Sequence, residues 1–80
     1  LANIEIFPNP VNEVLNIDFG DEQFSNLSIS LKAIDGKQVF ELKNVKEGKI
    51  AIDMSDYSKG IYMLYINDGV NSFNKKIVKQ

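Results

Sequence analysis

The 80-residue chain contains neither cysteine nor histidine. Without cysteine there is no disulfide framework and no thiolate metal site, and thiols record nothing about the redox compartment. Without histidine the chain lacks the usual general base, the commonest metal ligand and the partner that activates serine or cysteine nucleophiles. Charge of one sign is missing locally. Residues 1–31 hold Glu5, Glu13, Asp18, Asp21 and Glu22 but no lysine, and all nine lysines lie from Lys32 onward. No apolar run approaches the roughly 20 residues that cross a bilayer, and Leu1 to Phe7 lacks the basic flank and apolar core of a signal peptide. The net charge of -2 argues against nucleic acid as a partner, which calls for a basic face laced with aromatics. Proline occurs only at positions 8 and 10.

At 44% hydrophobic residues, the composition suits one domain with one small core, since a chain this short buries only about 60–65% of its unfolded surface. Residues 1–80 are therefore read as a single domain. The first residue is Leu rather than Met, and the expectation is a fragment of a larger protein.

Apolar and polar residues alternate with period two along the whole length, which predicts strands throughout. Ile4 and Ile6 share one face of Asn3 to Phe7. Pro8 and Pro10 delete backbone donors and push Phe7 and Asn9 away from helix, so Phe-Pro-Asn-Pro reads as a stiff, extended link. Leu15, Ile17 and Phe19 then form the apolar beat of Val14 to Phe19, and GDEQFSN interrupts it. Leu27, Ile29, Leu31 and Ala33 alternate with Ser28, Ser30 and Lys32 up to Asp35-Gly36, a hairpin signal. A two-residue loop pairs Leu31 with Phe40 and Ile29 with Leu42, whereas a three-residue loop with Gly36 as a bulge pairs Leu31 with Val39. Lys43 to Lys49 reads as a polar connection, and Ile50, Ile52 and Met54 resume the alternation. In SDYSKG, Ser55 is placed to cap one helical turn, Gly60 to end it and Tyr57 to plug the core. Ile61 to Ile66 is apolar on both faces and is expected to be the most buried strand. Asp68-Gly69 turns it into a last strand from Val70 to about Val78. About seven short strands predict an all-β, small antiparallel two-sheet sandwich of immunoglobulin-like type.

Candidate chemistry is sparse. Glu5, Asp18, Glu41 and Asp53 fall on polar beats and read as a solvated face. Asp18, Asp21 and Glu22 near Gly20 gather oxygens of the kind calcium accepts, but their spacing matches no dedicated loop, and the cluster is read as a solvated turn. Gly60-Ile61-Tyr62 has the form of a corner in which a tyrosine returns its hydroxyl to the backbone. Lys75-Lys76-Ile77-Val78-Lys79 is either a docking strand for an anionic partner or an edge protected by lysines. No cofactor and no enzymatic activity are expected.

The ordered series FPNPVNEVLNI, Gly36-Lys37-Gln38-Val39, Ile-Asp-Met-Ser followed by Gly60-Ile61-Tyr62, and a final Lys75-Lys76-Ile77-Val78-Lys79 resembles the C-terminal sorting domain of the Bacteroidetes type IX secretion system over nearly the whole chain. Pro8, Asn9, Pro10, Gly36, Lys37, Gly60 and Tyr62 carry the motif. Ala33 stands where such domains often have Asp or Asn, and Tyr57 where leucine is common. The resemblance implies a non-catalytic module behind an N-terminal passenger, exported through the periplasm and outer membrane to the cell surface or the medium. It implies recognition by the outer-membrane translocation machinery, removal by a sortase-like cysteine peptidase, and attachment of the released cargo to an anionic lipopolysaccharide. Lys75, Lys76, Ile77, Val78, Lys79 and Gln80 are the candidate recognition residues, and an unpaired terminal edge would permit dimerisation by strand addition. The alternative is an accessory β-sandwich of a surface adhesin or glycan-degrading enzyme that binds carbohydrate or a neighbouring domain. A carbohydrate platform needs a row of aromatics, and Tyr62 and Tyr65 point to opposite faces of one strand.

Overall fold

The alternating stretches form five antiparallel strands in the computed structural model, which describes residues 3–80, with Glu47 by its backbone alone. They are β1 (Glu5–Phe7), β2 (Val14–Ala33), β3 (Gln38–Asp53), β4 (Gly60–Asn67) and β5 (Ser72–Lys79). The sheet runs β1-β2-β4-β5, with β3 also paired to β2. The seven expected segments are all present, but two pairs of them fuse. GDEQFSN and Lys43 to Lys49 were read as breaks and instead face each other in the ladder, with Gln23 opposite Glu47 and Leu27 opposite Val45. The register shifts repeatedly between Asp18 and Ile29, as bulges require, and bulges bend and twist a strand. Gly20 takes φ +66°, a conformation that side chains disfavour, and its N–H donates to Asp18 Oδ1 at 2.8 Å.

The bend divides β2 into two limbs. Its first limb pairs with β1 and the end of β3; its second pairs with the start of β3 and with β4. One continuous curled sheet thus does the work expected of two. Leu15, Ile17 and Phe19 from the first limb and Leu27, Ile29 and Leu31 from the second are fully buried in one cluster with Ile52, Met54, Leu64, Ile66 and Ile77. Burying each side chain of this size stabilises by about 1.5–3 kcal/mol. Phe24, inside the supposed break, sets its ring edge against Phe19 at 5.4 Å between centroids.

β4 is therefore buried on one face, not on both, and β2 supplies more of the core side chains. In β4 only Tyr62, Leu64 and Ile66 face the core, while Ile61 and Tyr65 are 41% and 36% exposed. At the first hairpin both loop readings contribute. Gly36 N–H donates to the Ala33 carbonyl and Ala33 N–H to the Lys37 carbonyl, which makes a three-residue loop with Gly36 at φ +90°. A register shift after Lys32 then restores Leu31 opposite Phe40 and Ile29 opposite Leu42. No helical turn forms in SDYSKG. Asp53, rather than Ser55, caps this turn by accepting the Ser55 N–H at 3.0 Å, and Tyr57 N–H closes it on the Met54 carbonyl. The last hairpin loop is longer than Asp-Gly alone: Asp68 Oδ1 accepts the N–H groups of Val70 and Asn71, so β5 begins at Ser72.

Candidate functional site: the terminal strand and the segment clipped to it

The two ends of the domain meet along β5. Pro8 and Pro10 have no N–H to offer a neighbouring strand, and the residue between them supplies the missing groups from its side chain. Asn9 Nδ2 donates to the Lys76 carbonyl at 2.9 Å, and Asn9 Oδ1 accepts the Val78 N–H at 3.0 Å. Val11 continues with its backbone: its N–H donates to the Val78 carbonyl at 2.8 Å and its carbonyl accepts the Gln80 N–H at 2.9 Å. The Val11 side chain is fully buried. Both X–Pro peptide bonds of the segment are cis.

The expected unpaired edge is thus closed from Lys76 to Gln80, and strand addition there has to displace the clip. Sequence reading placed the prolines correctly as a connection but missed what Asn9 does. The available signal was an amide residue between two positions without donors.

The candidate recognition residues separate by burial. Ile77 is fully buried and Lys79 is only 8% exposed, whereas Lys75, Lys76 and Gln80 face solvent and Val78 is half-buried. Lys79 Nζ donates to the Gln80 carbonyl at 2.9 Å. Of the motif residues, Gly36 shapes the first hairpin, and the Lys37 N–H donates to Asp35 Oδ1 at 2.9 Å. Gly60 begins β4 at φ +148°. Tyr62 forms the corner: its hydroxyl donates to the Ser58 carbonyl at 2.7 Å. With Tyr62 buried and so engaged, it does not join Tyr65 in a sugar platform.

A shallow hollow of about 420 Å³ lies between the first hairpin and the Met54–Gly60 turn, lined in part by Asp35, Lys37, Asp56, Tyr57 and Lys59. The Tyr57 hydroxyl is committed to the Val39 carbonyl at 3.1 Å. Burial chiefly, then the charges of Tyr62 and Asp53, raises its pKa above the ordinary tyrosine value. Asp53 is held below the usual carboxylate range by the Ser55 hydroxyl and then the Ser55 N–H; Asp68 is lowered by the N–H groups of Asn71 and Val70. These are turn-capping carboxylates. Asp18 is likewise turned to the Gly20 N–H, and Lys49 Nζ lies 3.8 Å from its other oxygen. No group of three or more acidic residues is arranged to hold a metal ion among the described residues, and none of their helices is long and apolar enough to span a membrane.

The described residues form a small all-β module whose trailing strand packs Ile77 into the core and whose Asp53 and Asp68 carboxylates cap turns. The model of the secretion system C-terminal sorting domain family matches residues 5–80. The chain belongs to that family, the sorting domains of type IX secretion, found in Bacteroidetes. Membership makes it a signal for export across the outer membrane to the cell surface or the medium, interacting with the type IX machinery and following an N-terminal passenger. Domains of this kind are generally non-catalytic. No curated protein matches the chain.

Proposed function

We propose that the translocation machinery reads this sorting domain through the solvent-facing side chains of its trailing strand, and that a sortase-like cysteine peptidase then removes the domain at the cell surface. On this reading residues 1–80 are the last domain of a larger exported protein. The released passenger is then joined to an anionic lipopolysaccharide.

The observation that carries the reading is the placement of β5. Ile77 anchors the strand in the core while Lys75, Lys76 and Gln80 remain outside, so a single segment is both fixed in position and presented. The Pro8–Val11 clip brings the amino-terminal end of the domain, where a passenger enters, alongside this strand.

The test fuses residues 1–80 to a periplasmic reporter in a host with type IX secretion and compares it with a fusion lacking residues 75–80. Export of the first and retention of the second in the periplasm is the expected result. Undiminished export of the truncated fusion overturns the role assigned to β5.

A further inference from the structure

The clip closes the edge of β5, which leaves its outward face, and that face continues onto β4 and β2. The register lays out three adjoining rows. Lys32, Met63 and Lys76 lie side by side across β2, β4 and β5; Ser30, Tyr65 and Asn74 form the row on one side, and Ile61 and Val78 the row on the other. Facing side chains in neighbouring strands are about 5 Å apart, so Met63 has a lysine on each side. Ile61, at 41% exposure, and Tyr65, at 36%, extend the apolar strip, and Ile34, at 79%, overhangs it from the hairpin. A groove of about 230 Å³ runs between Lys32, Ile34, Ile61, Met63 and Tyr65. Lys32 Nζ leans 5.3 Å above the centre of the Tyr65 ring, which keeps that cation over the apolar strip. Across β2, β4 and β5 these rows hold two lysines and no carboxylate; Glu41 continues the Ser30 row onto β3, so the face turns acidic only at that far end.

A fully solvated sheet face has no need of four apolar side chains, and contiguous exposed apolar surface marks an interaction site. Resting on the reading that the machinery recognises this domain, we infer that the outward face of β2, β4 and β5 is the docking surface. Its partner is an acidic protein segment that sets an apolar side chain into the groove over Met63 and its carboxylates against Lys32 and Lys76. The charge arrangement chooses this occupant. Two cations flanking an apolar centre complement an acidic strand or loop with an apolar residue between its charges. The terminal strand contributes Lys76 and Val78, and the inference adds Lys32, Ile61, Met63 and Tyr65, which lie far from it in sequence.

The same reporter fusion provides the test, using Met63→Asp, the double variant Lys32→Glu with Lys76→Glu, and the control Lys43→Glu with Lys46→Glu on β3. All the substituted side chains lie away from the core, and circular dichroism of each purified fusion verifies folding. The expected result is a fall of tenfold or more in surface display for the first two variants, with the control unchanged and Lys32→Arg with Lys76→Arg close to the parent. Parental export of either folded face variant overturns the docking surface while leaving the secretion signal intact, whereas failure of the parent fusion overturns both. Sedimentation of the purified parent fusion, but not the double Glu variant, with anionic phospholipid vesicles would assign the face to a membrane surface and overturn the protein partner.

Discussion

The side-chain amide of Asn9 acts as a peptide group towards Val78: Oδ1 accepts the Val78 N–H at 3.0 Å while Nδ2 reaches the Lys76 carbonyl at 2.9 Å. A net contribution of about 0.5–1.5 kcal/mol per bond, reduced by exposure, gives an expected loss of about 1–2 kcal/mol for Asn9→Ala. Asn9→Asp keeps the acceptor for Val78 and loses the donor to Lys76. Native-state hydrogen exchange should therefore show the Val78 amide deprotected in the Ala variant and still protected in the Asp variant. Equal protection of Val78 in the parent and the Ala variant would show that Val11 alone holds the clip.

Ile77 separates structure from recognition within the trailing strand. It is fully buried, so Ile77→Ala is expected to cost about 2–5 kcal/mol and Ile77→Val about 0.5–1.5 kcal/mol. Against a total stability of about 5–15 kcal/mol for a domain, the first change strips most of the margin of a small one. Urea unfolding of the two variants should give this order. Export should follow stability at Ile77, whereas at Lys76 it should fall without loss of stability.

Much of this architecture is legible as period-two patterning because each half-buried strand must alternate. The fully buried beats Leu15-Ile17-Phe19 and Leu27-Ile29-Leu31 lie where alternation puts them. The bends of β2 and β3 were not legible, because polar residues 20–26 and 43–49 pair with each other, and bulges spoil the alternation that announces a strand. Strand β4 was misjudged for a different reason. Its Ile61, Met63 and Tyr65 are apolar without being core, and a sequence does not distinguish apolar residues placed for burial from those placed for contact. The Asn9 clip depends on a partner far along the chain, beyond the reach of local reasoning.

Acid stability should reveal the turn carboxylates. Asp68 accepts N–H bonds from Asn71 and Val70, and its pKa lies below the ordinary carboxylate value. With the folded pKa depressed, the unfolded chain binds more protons between the two values. The stabilisation is complete above the unfolded value of about 3.9 and is lost as pH falls through the folded one. Asp68→Asn should flatten this acid limb of the stability curve below about pH 4. Parallel acid limbs for parent and variant would show that Asp68 has no such linkage.

On the alkaline side Tyr57 contributes. Its hydroxyl donates to the Val39 carbonyl, and burial, followed by the charges of Tyr62 and Asp53, raises its pKa. Here the folded state holds its proton more tightly than the unfolded state. The stabilisation is therefore complete below the unfolded value of about 10 and is lost as pH rises through the raised folded value. Tyr57→Phe removes both the hydrogen bond and the titration. Its stability at neutral pH should fall by about 1 kcal/mol, while its decline above about pH 10 should be shallower than the parent's. Chemical denaturation between pH 7 and pH 11 measures both effects, and absorbance titration of the parent should show a tyrosine signal ionising above the ordinary tyrosine value that is missing from the Phe variant. An equally steep alkaline decline in the Phe variant would assign the pH dependence to other groups.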